Sequence, residues 1–201
     1  MIKKLKESSY FPVLMFLLLY GIFYGFSQFT IGITSPGGGF YSQFIDTHLN
    51  WFAGLRAFFL NTSAAIIRFF GYTVTVYLPY RMKITDGAGV VMVHSCVGTA
   101  ILSFWWAMIL GFPQTLANKI KYFVAGTLSI FILNLARIAG VAMILSTPWG
   151  KAHRNIDHHL LFNLVVYGFL FLMLYKWFNI KDPKAQKSMT QQQSITQELQ
   201  G

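Results

Sequence analysis

The chain is poor in acids and has a single thiol, and both shortages narrow its chemistry. Six Asp and Glu among 201 residues argue against a carboxylate metal site and against a mechanism built on paired carboxylates. One cysteine, Cys96, excludes an intramolecular disulfide framework and a cysteine-based zinc cage. Charged residues make up 11% against 55% hydrophobic, and the mean hydropathy is +0.51, the balance of a membrane protein with a largely lipid-facing surface. The net charge of +10 comes from basic residues at the ends of apolar runs and in connecting loops. No basic stripe is interleaved with aromatics, so these charges read as topology determinants and lipid-headgroup contacts, and nucleic acid is not an expected partner.

Lys3, Lys4 and Lys6 precede an apolar run over residues 10–29, long enough at about 20 residues to cross a bilayer. The run is too long and aromatic for a signal-peptide core and no small-x-small site follows it, so a retained helix with its lysines inside is expected. Thr-Ser-Pro-Gly-Gly-Gly-Phe over 34–40 breaks the helix. Residues 51–72 are apolar but carry Arg56, Asn61, Thr62, Ser63 and Arg68, which suits an extracytoplasmic helix lying in the interface; a crossing here would invert the sidedness of every later segment. Residues 72–78, 81–84 and 90–93 predict a short β-ribbon with a turn at Asp86-Gly87. If its last strand ran on, Met92, His94 and Cys96 would share a face. Further crossings are expected near 97–112, 122–146 and 159–178, with Lys119 and Lys121 in a cytoplasmic loop. The expectation is a mainly α membrane protein: one integral domain over 1–178 with about four transmembrane helices, and a Gln-rich disordered cytoplasmic tail over 179–201.

This topology gathers three groups. Cys96 and the pair His158-His159 stand at the outer starts of the second and fourth crossings. Arg137 lies on the third, nine residues before its end at Ser146, roughly 13 Å deeper at ~1.5 Å per residue. A lone Cys is often mere packing, and a His at the interface is often a polar tip on an apolar body, the reading given to His48 and His153. A guanidinium in an apolar span costs about 2.5 to 3.5 kcal/mol on insertion scales and faces a cavity or a partner. Its alternatives are backbone carbonyls or an incoming anion. Asn134 is on its helical face. A thiol at a helix start near Arg and His is set up as a nucleophile. His158 and His159, about 100° apart, cannot both serve it, and His94 is a further candidate base.

Ser95-Cys96-Val97-Gly98, Asn134-Leu135-Ala136-Arg137 and His159 resemble, in that order, the Cys-x-Gly, Asn-x-x-Arg and His motifs of the exosortase/archaeosortase family. The resemblance covers roughly 51–178 and is to the short members of the family. It departs at Asn163, where the family has a glycine after the His, leaving His158 or His159 open with His159 favoured. The resemblance implies a membrane cysteine transpeptidase, with Cys96, Arg137 and His159 catalytic and Ser95, Gly98, Asn134 and Asn163 supporting. It implies no metal or cofactor, and a site on the extracytoplasmic side of a bacterial inner membrane. The implied partners are exported proteins with a carboxy-terminal sorting signal, together with membrane lipids. Two rival readings are a lipid-phosphate-binding membrane enzyme and a non-enzymatic membrane assembly factor, both of which leave Cys96 dispensable.

Overall fold

The structure, a computed structural model, describes residues 10–37, 40–78, 80–153 and 158–180, with the backbone alone for Ser95, His158, His159 and Leu161. It is mostly helical with one small sheet. Helix α1 (Phe11–Thr34) starts with a proline in its first turn, where the missing N–H does no harm. Thr30 and Thr34 return their hydroxyls to the carbonyls of Phe26 and Thr30 at 2.8 Å, which satisfies polar groups an apolar helix would otherwise strand. Leu14, Leu17, Leu18, Ile22, Phe26 and Phe29 point outward.

After the short α2 (Gln43–His48) comes α3 (Trp51–Phe69), capped by the Asn50 side chain accepting from the Ala53 N–H at 2.8 Å. Helix α3, expected at the interface, packs one face into the protein: Phe52, Phe59, Leu60, Ala64 and Ile67 are fully buried. Strands β1 (Val74–Tyr77), β2 (Arg81–Ile84) and β3 (Gly89–Val91) form an antiparallel sheet in sequence order, in line with the expected ribbon. Its β2–β3 turn holds Asp86 at φ 57°, and Gly87 has no side chain because a Cβ there would strike Ser146 Oγ and Ile84. The turn is tied to the helical layer by the Ala88 N–H donating to Ser146 Oγ at 3.0 Å.

The strand does not continue to Cys96. It ends at Val91, and residues His94–Val97 wind into a 3-10 turn in which the Cys96 N–H donates to the Val93 carbonyl at 3.0 Å. Strand alternation therefore does not relate Met92, His94 and Cys96. Helix α4 (Thr99–Gly111) follows, and a loop through Pro113 turns the chain into α5 (Leu116–Ser146). Lys119 and Lys121, expected in the loop, belong to α5 because the helix starts six residues before the expected 122; Lys119 Nζ donates back to the Leu110 carbonyl at 2.8 Å. The short α6 (Pro148–Ala152) and α7 (His158–Phe178) complete the described fold. Most of the expected tail, 181–201, lies outside the described residues.

Of the four expected crossings, α1 and α5 are long and apolar enough to span a membrane; α4 and the Phe162–Phe178 stretch of α7 are apolar but shorter. Membrane association thus rests on two helices. The interior divides in two. One apolar cluster joins α3, the sheet and the second half of α5 through Phe59, Met82, Ile84 and Ala139. The other joins α4, the first half of α5 and α7 through Trp105, Ile130 and Trp177.

Candidate functional site

The length mismatch of α4 and α5 creates the site. With 13 residues, α4 is about 20 Å long, whereas the 31 residues of α5 extend about 46 Å. The two run antiparallel from the loop at Pro113, so the start of α4 comes opposite the middle of α5. Cys96 is thereby brought level with Arg137, which the sequence places deeper than the cysteine. Gly98 makes the junction: it caps α4 at φ 77°, a left-handed conformation that L side chains resist. This gives the Cys-x-Gly spacing a physical reason, since the chain must turn sharply between the cysteine and the helix.

Asn134 and Arg137, three residues apart on one face of α5, converge on a single acceptor. Asn134 Nδ2 donates to the Cys96 carbonyl at 2.8 Å and, at 3.4 Å, to that of Val97. Arg137 Nη2 donates to the same Cys96 carbonyl at 2.9 Å, and Nη1 reaches Asn163 Oδ1 on α7 at 3.4 Å. Among the described residues no carboxylate pairs with Arg137, so its charge stays available. The residue pair sits between Ile130 of one apolar cluster and Ile138 of the other. The site occupies the seam.

Cys96, Gly98, Asn134, Arg137, Asn163 and His94 all line one cavity of about 780 Å³, closed on another side by Tyr24 and Gln28 of α1. His158 and His159 open α7, one turn before Asn163; their side chains, like that of Ser95, lie outside the described residues. His48 and His153 go to neither site nor core: each is exposed, with Nδ1 at the carbonyl of the residue four earlier and its ring against an aromatic neighbour. No group of three or more potential metal ligands gathers among the described residues.

Sequence reasoning missed Arg56. It is 3% exposed, with its guanidinium 4.4 Å from the Tyr80 ring and 5.9 Å from that of Phe52, and its buried Nε has no hydrogen-bond partner among the described residues. Phe52 in turn lies 5.5 Å from the His94 ring. Burial, and then the nearby Arg56 charge, hold the His94 imidazole below its ordinary pKa and favour its uncharged form. The signal was present: Arg56 falls four residues after Phe52, on the apolar stripe of α3. Comparison of the chain with protein-family models, with curated proteins and with solved structures gives no match.

Proposed function

We propose that the protein is a multi-pass membrane cysteine transpeptidase of exosortase type, with α4 and α7 completing a four-crossing domain in a bacterial inner membrane and the cavity opening to the extracytoplasmic side. The observation that carries this reading is the convergence of Arg137 and Asn134 on the carbonyl of Cys96 at the wall of a large cavity. The two donors lock the cysteine-bearing turn onto α5 and hold a cation, unpaired with any carboxylate among the described residues, where an anion would form.

In this reading the Cys96 thiolate attacks a peptide carbonyl carbon. A C–S bond forms, and the Arg137 guanidinium stabilises the oxyanion, a kind of contribution worth about 10²–10³-fold when a single donor is lost. Collapse breaks the C–N bond as an imidazolium gives its proton to the leaving amine. An acceptor nucleophile then loses its proton to the imidazole, attacks the thioester and expels the thiolate. The resemblance assigns the imidazole to His159. Its position agrees with helical spacing, because residue 159 precedes Asn163 by one turn on one face whereas residue 158 does not, and Asn163 meets Arg137. His94, on the same cavity and with its uncharged form favoured, is the second candidate. The substrates are exported proteins ending in a sorting motif, a hydrophobic helix and a basic cluster.

The test is a Cys96→Ala strain compared with wild type for exported proteins retained with an uncleaved carboxy-terminal helix. Retention at unchanged protein level is expected, with the same effect in Arg137→Ala. Normal processing in Cys96→Ala ends the proposal, and a defect in Arg137→Ala alone favours the lipid-phosphate or assembly-factor reading.

A further inference from the structure

The sheet ends on an open edge beside the reactive turn. Among the described residues, with the order β1-β2-β3, β3 is paired on one side only. The phase of that pairing is fixed by the Met92 N–H donating to Tyr80 at 2.7 Å and the Ile84 N–H donating to Ala88 at 3.1 Å. Ala88, Val90 and Met92 therefore face β2, and by antiparallel alternation the N–H and C=O groups of Gly89 and Val91 face away from it. Val91 is 52% exposed. Such an edge is a template for another strand.

A second cavity, about 140 Å³, lies directly beneath this edge. Val91, Cys96 and Arg137 line both it and the large cavity. Its remaining walls come from Gly89, Val90 and Met92 of the sheet end and from Ile138, Val141 and Leu145 on α5. At about 140 Å³, with apolar walls except at Arg137 and Cys96, it has room for a branched aliphatic side chain.

We infer that the acyl donor binds as an added fourth strand on the free edge of β3, with one inward side chain of about leucine size in the small cavity next to Cys96. The inference rests on the transpeptidase reading and names its mode of substrate recognition. Main-chain hydrogen bonds supply binding in such strand addition, and alternate side chains supply specificity. A ligand on this edge passes from the small cavity into the large one at Val91, Cys96 and Arg137, which line both.

The experiment uses the purified full chain in detergent micelles and acetyl-alanyl-leucyl chloromethyl ketone, whose chloride the Cys96 sulfur displaces to form a C–S bond; intact mass gives the alkylation rate. Glycyl and tryptophyl analogues in place of leucyl should react about tenfold more slowly, the weight of roughly one buried side-chain contact. N-methylation of the alanyl or of the leucyl amide should slow the reaction about tenfold at one of the two positions only, because alternate strand amides face the edge. Val141→Phe should erase the preference for leucyl over glycyl, and Leu145→Ala, at a half-buried position, should admit the tryptophyl probe. Equal rates across the probes, or N-methyl effects at both positions or at neither, overturn the inference, as does failure of the thiol to react at all. The expected pattern together with normal processing in Cys96→Ala cells would sink the transpeptidase reading while leaving strand addition standing.

Discussion

The shared acceptor at Cys96 makes a prediction that does not depend on function. Asn134→Leu removes the donors at 2.8 and 3.4 Å, and Arg137→Met removes the donor at 2.9 Å. In either single variant the Cys96 carbonyl keeps one good hydrogen bond, so each loss is about 1 kcal/mol, the net worth of an ordinary bond. The Met variant sheds a half-buried charge as well and falls at the lower end. In the double variant the half-buried carbonyl loses both donors, and leaving it unpaired costs about 1 to 3 kcal/mol more. The double loss is then about 3 to 5 kcal/mol, with a coupling energy of roughly 1 to 3 kcal/mol. At about 2 to 4 °C per kcal/mol for a chain of this size, the singles shift the midpoint by a few degrees and the double by at least about 6 °C. Thermal unfolding in micelles, followed by tryptophan fluorescence, measures all four proteins. Additivity within about 0.5 kcal/mol would refute the reasoning, because it would mean that the two side chains do not share the carbonyl.

Three further outcomes concern single sites. Because burial and Arg56 lower the His94 pKa, the unfolded chain takes up a proton first as pH falls, and stability should drop as pH is lowered through about 6.5, the ordinary histidine value. Arg56→Gln should shrink that drop without abolishing it, and His94→Gln should remove the part due to this residue; midpoints between pH 5 and 7.5 that run parallel in wild type and His94→Gln would contradict this. Gly98→Ala should lose about 1 to 2 kcal/mol through backbone strain alone, since φ is 77° and the space is open, whereas Gly98→Asn should lose less. A Cβ at Gly126 would run into the indole of fully buried Trp105, so Gly126→Ala should lose about 1 to 3 kcal/mol by overpacking, and Trp105→Phe in the same chain should recover part of it.

The sequence carried the elements with strong local signals. The β-branched and aromatic residues from Thr73 onward, together with Asp86-Gly87, announced the sheet, and the apolar run after Phe11 announced α1. The meeting of Cys96 with Asn134 and Arg137 was foreshadowed only by their residue types, because their contact depends on α4 being less than half as long as α5. Helix boundaries blur such a length in sequence, and no local propensity reports it. The 3-10 turn at His94–Val97 was invisible for the same reason: a positive φ at Gly98 and packing against α5 override the strand pattern that leads into it. Arg56 escaped because its charge argued for a surface position, whereas two aromatic rings cover it inside the protein.

The interior divides into two apolar clusters that meet along α5. Phe131 of α5 packs against both clusters, and Arg137 ties the turn at Cys96 to Asn163 on α7 across the same level. Regions with separate cores open with separate free energies. Both clusters share the unbroken α5 helix, and the hydrogen bonds at the Cys96 carbonyl lie at the level where the clusters meet. On the proposed reading, a peptide entering the cavity would press at this level, and the hydrogen bonds of Asn134 and Arg137 to the Cys96 carbonyl would report whether the cavity is filled.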